Sequence, residues 1–156
     1  MKRRTVVAVA AFGTCALVAA WAHAVGAPPD QYLIFDKSDQ TISDQQTKLT
    51  WERYPSGPTT YALHSCTGGY RLPTYKELLT LVDEDPHYEY DADSGQSTLR
   101  YIDPNAFPGT PPDNFWTLSA DNASGAGYVK VVDFGSGRSQ SLKATGSAVA
   151  YTRCVK

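Results

Sequence analysis

The sequence contains no collagen-like tract, no internal repeat and no Gly-x-Ser-x-Gly motif. Without that motif, the usual sequence sign of a serine nucleophile at a strand-to-helix turn is missing. Basic residues are few and scattered, with 14 Lys and Arg against 16 Asp and Glu. The chain therefore lacks the basic stripe that nucleic-acid recognition needs, and nucleic acid is not a predicted partner.

The first 27 residues have the layout of a secretory signal peptide. The basic segment Lys2–Arg4 precedes an apolar run over 6–20, and small residues then suit cleavage after Ala24 or Ala27. The apolar run is shorter than the roughly 20 residues that a membrane-spanning helix needs. We therefore predict export, with a membrane anchor or a lipoprotein attached through Cys15 as the alternatives.

Removal of residues 1–27 would leave one domain, residues 28–156, in the periplasm, at the cell surface or in the medium. Eleven basic residues then stand against 16 acidic ones, a net charge near −5. A chain of roughly this length can bury one core, and small exported domains often add a disulfide to it.

Two cysteines, Cys66 and Cys154, follow the predicted leader. An even number of cysteines in an exported chain favours a disulfide bond. Closing a loop of this length stabilises a fold by roughly 4–5 kcal/mol on the chain-entropy model. We predict the Cys66–Cys154 bridge, with two free thiols or half of a metal site as the alternatives.

The segment 68–83 predicts the start of a helix with unusual clarity. Pro73 disfavours helical backbone angles at the residue before it, and Thr74 with Glu77 three positions later forms a capping-box pattern. We expect Thr74 to be the N-cap and Arg71 to bind nearby loop carbonyls. The helix of about two to three turns carries an apolar stripe, formed by Tyr75, Leu78, Leu79 and Val82.

Strand-like segments make up most of the remaining chain. They lie at 32–35, 41–44, 49–53, 115–119, 128–134, 138–142 and 148–155. We expect a loop over 54–58, a second short helix over 59–66 and an irregular proline-rich passage over 101–112. Trp51 and Phe107 are predicted core residues.

The segment 83–96 is the most acidic part of the chain, and we expect it to be a loop. Asp91 and Asp93, followed by Gly95, have the spacing that opens many calcium-binding loops, although the later glutamate of an EF-hand is missing. A solvated acidic loop is the alternative to a calcium site at Asp91 and Asp93. No other cofactor is predicted.

Several ordered motifs carry a resemblance to a known family. They are GGYRLPT at 68–74, FWTLS at 115–119 and RCVK at 153–156. With them, the chain from about Tyr32 to Lys156 resembles the C-terminal domain family of the Legionella collagen-like protein. The resemblance implies an α+β, C-type-lectin-like fold, similar also to formylglycine-generating enzymes. Such a fold has small twisted, mainly antiparallel sheets, one or two short helices and long loops.

The same resemblance implies an exported, non-catalytic binding module, an adhesin that recognises a glycan or an envelope protein at the bacterial surface. Tyr88, Tyr90 and Tyr101, aromatic residues in predicted loops, are the expected ligand contacts. Sulfated ligands need clustered Lys and Arg, so a neutral sugar or a protein fits this acidic chain better. The alternatives are a structural subunit of an envelope assembly and an enzyme of the formylglycine-generating type.

Overall fold

The computed structural model describes residues 26–34, 40–91 and 95–156, without the side chain of Asp91. The predicted signal peptide, apart from its last two residues, lies outside this part of the chain, and so does Asp93. Among the described residues, no helix is long and apolar enough to cross a membrane.

Ten strands and one α-helix follow each other along the described chain. The strands are β1 Tyr32–Leu33, β2 Thr41–Asp44, β3 Thr50–Glu52, β4 Ser56–Thr60, β5 His87–Asp91, β6 Gln96–Arg100, β7 Asn114–Ala120, β8 Tyr128–Asp133, β9 Arg138–Lys143 and β10 Val149–Thr152. Helix α1 covers Tyr75–Leu79, and a 3₁₀ turn covers Tyr61–Leu63.

The strands form two sheets and a separate ribbon. Strands β1, β2 and β3 make an antiparallel sheet, and β4, β10, β7, β8 and β9 make a five-stranded sheet in that order. Only β10 and β7 run parallel within the described sheets, and β5 pairs with β6 as a hairpin. The mainly antiparallel sheets are confirmed, and with one five-residue helix in the described chain the protein is a small mainly-β domain.

The prediction for 54–66 was wrong. Ser56–Thr60 forms β4 rather than a loop followed by helix, and only Tyr61–Leu63 makes a helical turn. Strand β4 lies at the edge of its sheet and, among the described strands, pairs only with β10, and edge strands are where a proline such as Pro58 is tolerated. Gly57 has φ 107°, and a Cβ there would lie 3.3 Å from the carbonyl oxygen of Ala150.

The acidic segment also differs from its prediction as a loop. Strands β5 and β6 pair in register from His87 opposite Arg100 to Asp91 opposite Gln96. Tyrosines favour strands, and the diagonal ion pair between Glu89 and Arg100 links the two strands across the ribbon. The loop had been predicted from the many acidic residues of the segment, and its strand pattern was therefore missed.

The main core lies between helix α1, the three-stranded sheet and β7–β8. Trp51 and Phe107, both predicted core residues, are fully buried there. The apolar stripe of the helix also packs as predicted, with Leu78 fully buried and its neighbours partly buried. The helix itself ends earlier than expected, at Leu79, and turn residues then bring the buried Leu81 into the same core.

A buried arginine ties the end of the chain to this core. One Nη of Arg153 donates to the carbonyl oxygens of Glu52 and Arg53 at 2.7 and 2.6 Å. The other Nη donates to Thr110 Oγ1 at 2.6 Å, and the guanidinium lies 4.7 Å from the ring centroid of Phe107. Burial lowers the pKa of Arg153 to about 9. The residue thus fixes the position of Cys154 beside β3.

Candidate functional site

The capping box at the start of α1 is confirmed. The backbone N–H of Glu77 donates to Thr74 Oγ1 at 3.3 Å, and the Thr74 N–H donates to Glu77 Oε2 at 2.7 Å. Arg71 also donates to both carboxylate oxygens of Glu77, at 2.8 and 2.7 Å, and to the carbonyl of Leu72. The hydrogen bonds from Arg71, assisted by those from Thr74, lower the pKa of Glu77 to about 2. The charged residues of this segment therefore have a structural role.

The predicted disulfide is confirmed. Cys66 and Cys154 are joined, with their Cα atoms 5.7 Å apart, and they are 88 positions apart in sequence. Close by, Arg71 and Val155 exchange two backbone hydrogen bonds of 2.9 Å. The segment before α1 is thus held against the end of the chain by one covalent link and one backbone pair.

An open groove of about 460 Å³ lies beside this disulfide. Two other cavities of the described chain measure about 180 Å³ each. Small-molecule pockets are typically about 300–1,000 Å³, so the groove is large enough for a ligand. It is lined by Gln40, Thr41, Glu52, Tyr54, Pro55, Ser56, Ser65, Thr67, Gly68 and Tyr70.

The groove has two tyrosines, each with a cation over its ring. The side chain of Tyr54 is exposed, with 41% of its surface accessible, and the Arg53 guanidinium lies 5.7 Å from its ring centroid. Tyr70 is half-buried, and the ammonium of Lys156 lies 4.7 Å from its ring centroid. A cation is attracted to the face of an aromatic ring, so each contact favours one orientation of its tyrosine ring.

A tight glycine turn shapes the wall that contains Tyr70. The N–H of Tyr70 donates to the carbonyl of Thr67 at 3.1 Å across Gly68 and Gly69. These two glycines have φ of 63° and 84°, the positive values that both central residues of a type I′ turn need. The turn brings Thr67 and Tyr70 to the same groove.

Glu52, the last residue of β3, lines the groove beside the disulfide. Its Oε2 accepts the N–H of Cys154 at 3.1 Å, and its backbone N–H donates to the Cys154 carbonyl at 2.9 Å. Four hydroxyl side chains line the groove around this carboxylate: Thr41, Ser56, Ser65 and Thr67. Aromatic rings beside hydroxyls and one carboxylate suit a ligand with both apolar faces and hydroxyl groups.

The structure brings two of the three predicted ligand-contact tyrosines together. Tyr88 and Tyr90 lie two positions apart on β5, so they share one face of the ribbon, and 75% and 66% of their surfaces are accessible. Tyr101 is half-buried and lies against Gly137 in the β8–β9 turn. Its contribution to ligand binding stays a prediction, as does that of the exposed pair.

The calcium site at Asp91 and Asp93 also stays a prediction. Asp91 ends β5 opposite Gln96, but its side chain and all of Asp93 lie outside the described residues. In the remainder of the described chain, no group of three or more His, Cys, Asp or Glu side chains is arranged to hold a metal.

A second polar site lies between α1 and β5. His87 Nε2 is 3.0 Å from Asp83 Oδ2, and burial raises the pKa of this aspartate. Asp83, Tyr32 and Glu84 border one of the smaller cavities. The histidine contact links the end of the helical segment to the ribbon, which is a structural role.

Sequence reasoning missed the groove altogether. Tyr54 falls in a segment that was predicted to be a loop, and Tyr70 follows a glycine pair. An aromatic residue next to turn-forming glycine or proline is the sequence signal that marks both. That signal identifies single residues, whereas the groove forms only when the fold brings their distant segments together.

The comparisons with known proteins agree with the motifs. Residues 40–156 match the model of the Lcl C-terminal domain family. The chain matches no curated protein and no solved structure. Since the family model covers β2 to the last residue, including the groove and both disulfide cysteines, the chain belongs to the Lcl C-terminal domain family.

Proposed function

We propose that this protein is an exported, non-catalytic binding module that recognises a glycan at the bacterial cell surface or in the envelope. The groove between Tyr54 and Tyr70 is the observation that carries the proposal. Sugar rings have C–H faces that pack on aromatic side chains and hydroxyls that require hydrogen-bond partners. The lining of the groove supplies both.

Two further observations support export and a binding role. Disulfides form and persist in oxidising compartments outside the cytoplasm, so the Cys66–Cys154 bridge favours an exported protein. The groove is built largely from connecting segments that a rigid sheet and the disulfide hold in place, the usual location of binding residues. We also propose a C-type-lectin-like fold, on the basis of the family resemblance.

A glycan array tests this function directly. The purified chain is screened with calcium and again with a chelator, beside the variants Tyr54→Ala and Tyr70→Ala. The matched control is Tyr88→Ala with Tyr90→Ala, which removes two exposed tyrosines from the ribbon instead. Hits that the groove variants lose and the control retains support the proposal. An array without hits, or hits that are insensitive to the groove variants, contradicts it. Loss of hits in chelator alone points to the Asp91 and Asp93 site.

The second candidate is a structural subunit that binds an envelope protein through the β5–β6 ribbon. The exposed tyrosine pair on one ribbon face favours it, because large exposed apolar groups often mark protein interaction sites. Co-purification from the native envelope tests this alternative. A partner retained by the chain and lost by the Tyr88→Ala, Tyr90→Ala variant would establish it, and a partner retained by both would exclude the ribbon as its site.

A further inference from the structure

We infer that the groove selects an uncharged sugar, bound by hydroxyl groups that donate to Glu52 while a ring face packs on Tyr54. This inference rests on the proposed function and adds the chemical class of the ligand. It also assigns the residue that excludes anionic sugars.

The charge of the groove lining disfavours anionic ligands. Glu52 is the only charged residue among the ten described residues that line the groove. A sulfate or carboxylate group on a ligand would therefore meet a like charge in a partly desolvated site, which is unfavourable. Hydroxyl groups are good donors to a carboxylate, and such charge-assisted bonds are stronger than neutral ones.

Three cations of the described chain lie near the groove, and none of them is part of its lining. The buried Arg153 is attracted to Glu52, but its guanidinium donates to the carbonyl oxygens of Glu52 and Arg53 and to Thr110 Oγ1. The Arg53 guanidinium donates to the carbonyl oxygens of Ala106 and Asn105, at 3.3 and 3.1 Å. Lys156 lies over the ring of Tyr70 and is not part of the groove lining. Since none of these cations lines the groove, Glu52 is the charged side chain that a ligand meets there.

The position of the Glu52 carboxylate suits a ligand hydroxyl group. Its Oε2 is held by the backbone N–H of Cys154, and Cys154 is itself fixed by the disulfide. The other oxygen, Oε1, has no hydrogen-bond partner among the described residues. A carboxylate held in this way has one oxygen left to accept hydrogen bonds from ligand hydroxyl groups. Preorganisation of this kind reduces the entropy lost on binding.

The test compares neutral and anionic sugars on matched variants. Probes are cellotetraose, chitotetraose and mannotetraose, each beside its sulfated counterpart, with a uronic-acid tetramer as a further anion. Affinities are measured by calorimetry at physiological ionic strength. Glu52→Gln removes the charge and retains a side-chain carbonyl that accepts the Cys154 N–H. Glu84→Gln, at an exposed residue outside the groove, is the charge-matched control.

We expect a neutral probe to bind the unmodified chain more tightly than its sulfated form. Glu52→Gln should weaken the neutral probe by about tenfold, the effect of losing one hydrogen bond to a charged acceptor. The same variant should improve binding of the sulfated form, and Glu84→Gln should change neither. Thr67→Val, which removes an exposed lining hydroxyl, is a second variant that leaves the disulfide contacts intact. It should also weaken the neutral probe.

The outcomes separate this inference from the proposed function. Preference for a sulfated or uronic probe that still depends on Tyr54 overturns the inference and leaves glycan binding in the groove standing. A neutral preference that Glu52→Gln does not alter also overturns it. Failure of every probe to bind, with a folded and disulfide-bonded chain and an array without hits, overturns the proposed function as well.

Discussion

Glu52 and Cys154 are joined by two hydrogen bonds that use different parts of the glutamate. The backbone N–H of Glu52 donates to the Cys154 carbonyl at 2.9 Å, and the Cys154 N–H donates to the Glu52 carboxylate at 3.1 Å. Since Cys154 is also bonded to Cys66, it joins Glu52 to the segment that contains Ser65 and Thr67, and all three of these residues line the groove. The position of the groove therefore depends on the disulfide.

Removing the disulfide should lower stability and weaken binding together. On the chain-entropy model, the double substitution Cys66→Ser with Cys154→Ser reduces the free energy of unfolding by roughly 4–5 kcal/mol, because the unfolded chain regains the freedom of a long loop. Denaturant titration measures this loss, and calorimetry with the best neutral probe measures binding. The double variant avoids leaving a lone thiol. Unchanged affinity in a folded double variant would show that the groove does not need the bridge.

Replacing the N-cap threonine should cost about 1 kcal/mol. Thr74→Ala removes the acceptor for the Glu77 N–H, a loss that typically lowers stability by that amount. Thr74→Ser retains a hydroxyl and is the control, which should melt close to the unmodified chain. Thermal unfolding is the measurement. Equal melting temperatures for the alanine and serine variants would contradict the role of the cap.

The Arg71–Glu77 pair should make stability depend on acidic pH. The pKa of Glu77 falls from 4.5 to about 2 on folding, because Arg71 and Thr74 donate to its carboxylate. The carboxylate therefore contributes stability that is complete above pH 4.5. It is lost as pH falls from there towards 2. Glu77→Gln should abolish that part of the dependence.

Urea titrations at several pH values isolate this contribution. The difference in unfolding free energy between the unmodified chain and Glu77→Gln should shrink as the pH falls from 5 to 2. Other carboxylates, such as Asp121, also titrate on acidification, but they are common to both proteins. A constant difference across this range would contradict the lowered pKa of Glu77.

Gly137→Ala should destabilise the protein more than Gly109→Ala does. The two glycines have nearly equal φ, 67° and 66°, so the backbone strain of alanine is similar at both. A Cβ at position 137 would lie 2.9 Å from Cδ1 and 3.3 Å from Cβ of Tyr101, whereas position 109 is open. The extra overlap should cost about 1–3 kcal/mol. Denaturant titration measures the difference.

A third variant checks the cause of that difference. Combining Gly137→Ala with Tyr101→Ala removes the overlap, so the double variant should be more stable than the sum of the two single effects predicts. Strict additivity would show that the Tyr101 ring moves aside without a cost, and that the close approach to Gly137 does not constrain it.

The features predicted correctly from sequence are those that depend on neighbours within one turn of helix or one strand. Thr74 and Glu77 are three positions apart, so the capping box follows from local geometry alone. The apolar stripe of α1 and the burial of Trp51 follow from periodicity in the same way. Cys66 and Cys154 are distant in sequence, but they were the only cysteines left after the predicted leader, so their pairing needed no geometry.

The groove and the ribbon depended on contacts that no local pattern contains. Tyr54 and Tyr70 line one groove because β3, the disulfide and the Arg71–Val155 pair draw three distant segments together. Local residue preference indicated a loop and the start of a helix at 56–60 and a loop at 87–91. Strand pairing with β10 and β6 instead satisfies the backbone groups there. The sequence therefore determined the cap, the core positions and the disulfide partners, because each follows from spacing or from a count. Tertiary structure decided where the binding surface lies, because that surface is made of residues that meet only when the sheets pair.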